Sequence, residues 1–297
     1  MAGQNSSEPS YSQSKDVPWY HADISDKVTP EVHYFLEIYA GIPPKDTISH
    51  VHTIRDKAWC IRSYPCTGMG TFLTPTINFS PAYKQILSLL RSNLMHHHKL
   101  LDIGCFVGQD LRRLVFDGAL SENLYAMDIV SFWDIGYELY RDRDRFHATF
   151  FEADLLKLDE SENEVVTSLR GDVDVIWIAN LLHQWDWETQ FKALRQIIAL
   201  SKPGTIVAGQ HAGMTPGRLH GAYEGHTGSY MHDGETWRTL WEQLCSESGT
   251  RWEIEVGKLV EWEDVGIDVE RVKDFVGETK PLVFVIKRFD AGDDHSA

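Results

Sequence analysis

Cysteine is scarce in this chain of 297 residues, which contains only four, at positions 60, 66, 105 and 245. No two of them form a Cys-x-x-Cys pair, and so few thiols exclude a disulfide scaffold and disfavour zinc-ribbon or thioredoxin-like chemistry. Reduced thiols in this number are typical of the cytosol. We therefore expect a cytoplasmic protein.

Basic residues are also few, with 28 Lys and Arg against 44 Asp and Glu, which gives a net charge of −16. Proteins that track nucleic-acid phosphates or bind anionic lipid head groups need a positive surface, so we expect neither kind of partner. No apolar run has the length of a bilayer span, and residues 1–16 contain no apolar signal segment. We therefore predict a protein without a membrane span.

Apolar residues are plentiful, since 42% of the chain is hydrophobic, and this excludes global disorder. Residues 1–16 and 291–297 are polar and predict disordered tails. Helical spacing interrupted by prolines predicts an N-terminal helical cap over residues 17–80. The remainder, residues 81–290, has the pattern of a single α/β domain.

Short, nearly continuous apolar runs alternate with helical stretches from residue 99 onward. Such runs are typical of parallel strands that helices cover on both faces, so the pattern predicts a Rossmann-like, doubly wound sheet of seven mostly parallel strands. A loop-rich link between the last two runs favours an antiparallel finish. The runs are KLLDIG, NLYAMDI, ATFFEAD, DVDVIWIAN, TIVAGQ, WEIEVGKLV and PLVFVIKRF.

The turn after the first predicted strand, in LLDIGCFVGQDLRRL, carries the strongest local signal. Glycines in this turn allow a ligand to approach the backbone beyond the carboxyl end of the strand. The dinucleotide fingerprint requires two more glycines after Gly104, where this chain has Phe106 and Gln109, so a nicotinamide cofactor is disfavoured. Asp128 lies at the end of the second predicted strand, 20 residues after Gly108, and this is the spacing of an acidic residue that binds ribose hydroxyls.

The remaining pattern, Asp-x-Gly-x-x-x-Gly, resembles the first motif of class I S-adenosylmethionine-dependent methyltransferases, with Phe106 in place of the middle glycine. The resemblance implies S-adenosylmethionine as cofactor, with Asp102 facing its methionine part. It also implies that Asp154 accepts from the adenine amino group while the Leu155 amide donates to a ring nitrogen. A positively charged cofactor suits these acidic side chains. The predicted cofactor site comprises Asp102, Gly104, Cys105, Phe106, Gly108, Gln109, Asp128, Ile129, Asp154, Leu155 and Asn180.

Further segments narrow the resemblance: HVHTIRDKAW (50–59), SYPCTG (63–68), FWDIGYELYRDRDRF (132–146) and HDGETWRTLW (232–241). They are similar to fungal methyltransferases that methylate the carboxyl group of farnesylated polyketide acids in meroterpenoid pathways. The resemblance implies a hydrophobic carboxylic acid as substrate, and it leaves a homodimer open. The alternatives are a phenol, an enol or a carbon atom as methyl acceptor, or a catalytically silent cofactor-binding regulator. The last would follow if the Phe106 ring crowded the cofactor.

In this superfamily the residues after the fourth strand face the transferred methyl group, which makes His183 a catalytic candidate and Trp185 a substrate-binding one. His232 is the second catalytic candidate because it begins the family-like segment HDGETW. A carboxylate substrate, with a reference pKa of about 4, is ionised at neutral pH and needs positioning donors rather than a base. Arg62 and Tyr64 in the cap are the predicted donors.

Histidine is common, with 14 residues, and raises the question of a metal site. The consecutive residues His96, His97 and His98 point apart on a helix or loop and have no acidic partner at ligand spacing, so we expect no metal. The Gly- and His-rich residues 209–235 have the composition of a mobile lid over a site.

Overall fold

The computed structural model describes residues 13–91, 97–159, 163–221 and 228–289. Residues 1–12 and 290–297, which include most of the two predicted tails, lie outside the described residues. Residues 13–16 run along an N-terminal helix: Gln13 Nε2 donates to the Cys60 carbonyl at 2.6 Å, and Lys15 forms an ion pair with Asp56 at 3.0 Å.

Three α-helices form the N-terminal part of the chain: α1 (Pro30–Ile38), α2 (Thr47–Ile61) and α3 (Pro65–Met69). Helix α1 begins at a proline, and the Thr29 side chain caps it by accepting from the Val32 amide at 3.3 Å. Its buried face carries Val32, Phe35 and Leu36. These helices bury one apolar face, as the helical spacing in the sequence requires.

Seven strands form one sheet in the order β3-β2-β1-β4-β5-β9-β8. Every neighbouring pair is parallel except the pairs that contain β9, which runs antiparallel to both β5 and β8. The predicted Rossmann-like, mostly parallel sheet is confirmed. The strands are β1 (Leu100–Ile103), β2 (Leu124–Asp128), β3 (Thr149–Glu152), β4 (Val173–Ala179), β5 (Ser201–Gly213), β8 (Arg251–Leu259) and β9 (Lys280–Phe289).

Helices cover both faces of the sheet, which explains why its inner strands, such as β1 and β4, are apolar on both sides. On one face α4 and α5 contribute Ile86, Leu90 and Leu111 to a buried cluster. On the other face α8 and α9 contribute Leu194 and Trp237 to a second cluster. The remaining helices are α4 (Tyr83–Arg91), α5 (Gln109–Phe116), α6 (Trp133–Tyr140), α7 (Glu164–Leu169), α8 (Trp187–Leu200), α9 (Gly234–Ser248) and α10 (Lys273–Val276).

Residues 17–80, which include helices α1 to α3 and which we call the cap, share a hydrophobic cluster with the β1–α5 turn and with α6. Phe35 and Ile54 of the cap lie in this cluster together with Phe106, Phe132 and Leu139. The cap is therefore packed over the turn on which the cofactor motif lies. Because the two parts share a core, the boundary between residues 80 and 81 stays a prediction.

Two short strands, β6 (Arg218–His220) and β7 (Ser229–Met231), pair as an antiparallel hairpin within the predicted lid. The sequence did not indicate them because they have three residues each and β6 is exposed throughout. No helix in the described parts of the chain combines the length and apolar character needed to cross a membrane. Among the same residues, no three His, Cys, Asp or Glu side chains converge as metal ligands would.

Candidate active site

The turn between β1 and α5 depends on backbone conformations that favour glycine. Gly104, Phe106 and Gly108 have positive φ angles of 77°, 49° and 69°. A Cβ atom on Gly108 would lie 2.7 Å from Arg112 Nη1 and 2.8 Å from the Trp133 ring, so a larger residue would force a shift. The glycines thus keep the turn tight and its backbone open to a ligand.

Phe106 occupies the position at which the motif usually has glycine, and a left-handed conformation costs an L-residue about 1–2 kcal/mol. Its side chain is 7% exposed. The ring centroid lies 4.4 Å from that of Phe132 and 5.5 Å from that of Phe72 in the cap. Because the ring packs against the cap, the crowding that would favour a catalytically silent regulator loses its support.

Two buried carboxylates lie beside the turn. Asp128 accepts from the Phe106 amide at 2.9 Å and from the Val130 amide at 3.4 Å. Burial and the charges of Asp110 and Asp128 raise the pKa of Asp102 well above its usual range. A cationic ligand here would relieve the repulsion between these carboxylates, and Asp128 can accept from a ribose diol. The two acidic side chains therefore fit S-adenosylmethionine.

The other predicted cofactor residues lie along the same carboxyl edge of the sheet. Asp154 follows β3, accepts from the Leu156 amide at 2.9 Å and lies 3.3 Å from Lys157 Nζ. Asn180 follows β4 with φ of 53°, and its amide donates to the Gln210 carbonyl at 2.7 Å. Their contacts with the cofactor stay predictions. Cys105 and Leu155 are buried, Ile129 is exposed and Gln109 begins α5.

Asp110, which the sequence did not single out, anchors the end of the cap to α5 and the sheet. Its carboxylate accepts from the Thr76 amide at 2.6 Å, the Ile77 amide at 2.9 Å and Trp177 Nε1 at 3.0 Å. Burial raises the pKa of Asp110, although these hydrogen bonds act in the opposite direction. The residues joined are more than thirty positions apart in the chain, so local pattern gives no signal for them.

Arg112 donates a hydrogen bond to the backbone of the β1–α5 turn, and the sequence did not single it out either. Its guanidinium donates to both oxygens of Asp142, at 2.7 and 3.1 Å, and to the Val107 carbonyl at 2.7 Å. The Tyr39 hydroxyl of the cap donates to the same carboxylate at 2.9 Å. Both charged side chains are completely buried. The guanidinium also faces aromatic rings, with centroids 4.2 to 5.4 Å away, of Trp133, Tyr137, Tyr140 and Phe146.

His183 lies in the short helical turn after β4, where its Nδ1 accepts from the Ala212 amide of β5 at 3.3 Å. Nε2 therefore carries the proton in the neutral imidazole. Burial lowers the pKa of His183 to about 4. At neutral pH this side chain is consequently an uncharged donor, and its protonated nitrogen cannot act as a base.

His232 is fully buried and has the opposite tautomer. The Thr236 hydroxyl donates to the Asp233 carboxylate at 2.9 Å, so it accepts from His232 Nδ1 at 3.2 Å. Its Nε2 is a buried acceptor without a partner among the described residues. Burial lowers the pKa of His232 to about 4. The ring centroid of His211 lies 6.2 Å from that of His232. The sequence did not single out His211 because the predicted fifth strand ended at Gln210.

Both predicted catalytic histidines contact the carboxyl end of β5. The His183 side chain accepts from the Ala212 amide, and the backbone of His232 forms a parallel β-bridge with Gly213. Gln190, a further residue without a sequence signal, donates to the carbonyls of Trp185 and Tyr230 at 2.9 and 2.8 Å. The hairpin strand β7 is thereby held against the segment that carries His183.

Arg62 and Tyr64 of the cap lie on the cofactor side of this edge. The Arg62 guanidinium is 5.4 Å from the centroid of the Tyr64 ring, which is 6.4 Å from that of Phe106. The charge of Arg62 partly offsets the burial that raises the pKa of Asp128. Arg62 is 9% exposed. Substrate binding by these two residues and by Trp185 stays a prediction.

The sheet order, the glycine turn after β1 and the acidic side chains at the carboxyl edge define a class I methyltransferase fold. Residues 19–73 match the family described as meroterpenoid methyltransferase N-terminal domain. O-methyltransferase phiE from a fungal species is 36% identical over 291 residues, covering 95% of this chain and 94% of the relative.

O-methyltransferase atr3 of Stereocaulon alpinum is 38% identical over 246 residues, which cover 82% of this chain and 69% of the relative. Asnovolin E/Chermesin D methyltransferase nvfJ of Aspergillus novofumigatus is 31% identical over 233 residues, which cover 77% of this chain and 81% of the relative. The chain belongs to the fungal meroterpenoid methyltransferase family. It is an enzyme whose methyl donor is S-adenosylmethionine.

Proposed function

We propose that this enzyme methylates a carboxylate oxygen of a hydrophobic acid, a farnesylated polyketide intermediate, and so forms a methyl ester in fungal meroterpenoid biosynthesis. The observation that carries the proposal is the hydrogen bond from the Ala212 amide to His183 Nδ1 at 3.3 Å, which leaves this imidazole a donor at Nε2. Burial, which lowers the pKa of His183 and of His232 to about 4, acts in the same direction. A carboxylate is already ionised at neutral pH and requires no base. These imidazoles suit such a substrate as neutral, positioned groups.

A phenolic acceptor would require a proton acceptor that these histidines do not provide. Moving a proton from a phenol of pKa about 10 to an imidazole of pKa about 4 is uphill by roughly 8 kcal/mol. One observation favours this second candidate: His232 Nε2 is a buried acceptor for which the described part of the chain provides no hydrogen-bond partner. Its low pKa makes it a hydrogen-bond acceptor rather than a general base.

In the proposed reaction the chain acts by binding and orientation. Bound S-adenosylmethionine would supply an electrophilic methyl group to the carboxylate oxygen and would leave as S-adenosylhomocysteine with the electron pair of the broken carbon–sulfur bond, so this chain needs no proton acceptor. Asp102 and Asp128 would hold the cofactor through its amino group and ribose hydroxyls. His183 Nε2–H, Arg62 and Tyr64 orient the carboxylate, and the cap excludes water.

A matched pair of substrates tests the proposal: a farnesylated aromatic carboxylic acid and the phenol that has a hydroxyl group in place of its carboxyl group. We expect methyl transfer from labelled S-adenosylmethionine to the acid, with kcat/KM nearly constant from about pH 6 to 9, since the acid is ionised throughout. Mass spectrometry identifies the methylated atom. Transfer to the phenol alone, with a rate that rises with pH, contradicts the carboxyl assignment.

His183 variants separate a donor from a base. His183→Asn keeps an N–H donor and should retain more turnover than His183→Ala, for which we expect a loss of about tenfold or more because a hydrogen bond to a charged group is lost. Leu219→Ala, a change at an exposed hairpin position, is the matched control. Equal turnover in Ala and Asn variants with wild-type folding would remove His183 from the mechanism.

A further inference from the structure

Phe106 contacts the cofactor turn's carboxylate through its backbone and the cap through its ring. Its strained backbone lies in the cofactor turn, and its ring lies in the aromatic cluster that joins this turn to the cap. The cap side of the cluster is formed by Phe72, at 5.5 Å between ring centroids, and Tyr64, at 6.4 Å. A glycine would adopt the same backbone without strain but would leave the cap without this contact.

The backbone of Phe106 is bonded to the group expected to hold the ribose. Its amide donates to Asp128 Oδ2 at 2.9 Å, while the other carboxylate oxygen accepts from Val130 at 3.4 Å. The Phe106 amide is thus bonded to the cofactor carboxylate, while its ring packs both against Phe132 at the start of α6, at 4.4 Å, and against the two cap rings. Any shift of Asp128 is transmitted to the ring through a single residue.

We propose that Phe106 is a positioning residue that couples occupancy of the cofactor site to the seating of the cap over the substrate site. A ribose bound to Asp128 fixes the position of the Phe106 amide, and the ring then supports Phe72 and Tyr64. Because Arg62 and Tyr64 are the proposed donors to the substrate, a bound cofactor completes the substrate site. This inference rests on the cofactor site proposed above.

A second link between the same two parts supports the coupling. The positive charge of Arg62 acts on Asp128 and opposes the rise in its pKa, so the cap and the ribose carboxylate interact electrostatically as well. Arg62 and Tyr64 are two positions apart, and the guanidinium lies 5.4 Å from the Tyr64 ring centroid. One short segment of the cap therefore acts on the Asp128 carboxylate through the charge of Arg62 and lies beside the Phe106 ring through Tyr64.

The test is amide hydrogen exchange in residues 62–74 of the full chain, with and without S-adenosylhomocysteine, together with calorimetric measurement of its affinity. In the wild type we expect this ligand to slow exchange about fivefold or more. In Phe106→Gly and Phe72→Ala the slowing should fall below about twofold, while binding persists with a dissociation constant raised by no more than about fivefold, since coupling is reciprocal.

Phe35→Ala is the matched control, because Phe35 is a buried cap residue whose ring contacts Tyr39, Phe116 and Tyr140 instead. It should keep the ligand-dependent slowing. Wild-type slowing in both the Phe106 and Phe72 variants overturns the coupling, as does a much larger loss of affinity in Phe106→Gly. Phe72→Ala leaves the turn itself intact, so it decides the question if Phe106→Gly does not fold. Failure of the wild type to bind refutes the proposed cofactor site and the coupling together, whereas binding without slowing refutes the coupling alone.

Discussion

The replacement Asp142→Asn removes the negative charge that neutralises Arg112 beneath the cofactor turn. Breaking one partner of a fully buried ion pair costs about 3–5 kcal/mol, because the remaining charge has no solvent. Asparagine can still accept one hydrogen bond from the guanidinium or from the Tyr39 hydroxyl, so we expect a loss near the lower limit, about 3 kcal/mol. This is a large share of a domain stability of about 5–15 kcal/mol.

Urea denaturation followed by tryptophan fluorescence measures this loss. With an m value of about 3 kcal/mol/M, a loss of about 3 kcal/mol lowers the midpoint by roughly 1 M. Asp134→Asn is the control, since Asp134 pairs with Arg143 at the surface, where both side chains are mostly exposed and the pair contributes at most about 1 kcal/mol. The double replacement Arg112→Met with Asp142→Leu should regain part of the lost stability, because it removes both charges but also removes the partners of the Val107 carbonyl and the Tyr39 hydroxyl.

A loss below about 1 kcal/mol in Asp142→Asn would refute this reasoning. It would mean that the surrounding aromatic rings or penetrating water solvate the Arg112 guanidinium without the carboxylate. Because Arg112 also binds the Val107 carbonyl, the same variant should weaken S-adenosylmethionine binding by calorimetry. Unchanged affinity in the folded variant would show that the turn keeps its shape without the ion pair.

Three further outcomes are expected. Asp128→Ala should weaken cofactor binding by about 1–3 kcal/mol in calorimetry through loss of the ribose acceptor, whereas unchanged affinity would mean that the ribose lies elsewhere. Gln190→Ala should remove two hydrogen bonds and about 2 kcal/mol, seen as faster amide exchange in β7, and wild-type exchange there would contradict it. Because the pKa of His232 is lowered to about 4 in the folded protein, its contribution to the free energy of unfolding is fully present above about pH 6.5. This contribution is lost as the pH falls towards 4, by about 3 kcal/mol, which lowers the urea midpoint. His232→Asn should flatten this dependence of the midpoint on pH.

The inner strands were predictable because strands covered on both faces are nearly continuous apolar runs, as in β1 and β4, and such runs are visible without tertiary information. The edge strands β3 and β8 are only partly buried and were recognised from their apolar and β-branched residues. The glycine turn and the acidic residues at the ends of β1, β2 and β3 were visible for a related reason, since parallel strands bring successive carboxyl ends to one edge. Asp154 shows the limit of this reasoning. Its carboxylate already caps a short helical turn, which the spacing alone does not distinguish from a cofactor contact.

Asp110 and Arg112 could not be found from the sequence, because QDLRRL has the polar composition of an exposed helix face. Their burial depends on partners at Thr76, Trp177 and Asp142, which only the folded chain brings near. The tautomers of His183 and His232 were equally inaccessible. They follow from hydrogen bonds to a strand amide and to a threonine hydroxyl, and these set one imidazole as a donor and the other as an acceptor.

Strand β9, the last strand along the chain, lies inside the sheet between β5 and β8. During synthesis the edges of both neighbours therefore remain unpaired until residues 280–289 have left the ribosome. Unpaired strand edges recruit other chains, so the growing chain is exposed to aggregation from the synthesis of β5 until β9 has emerged. A chain shortened before Lys280 would leave β8 without its ladder partner, which makes the integrity of β9 a requirement for soluble expression.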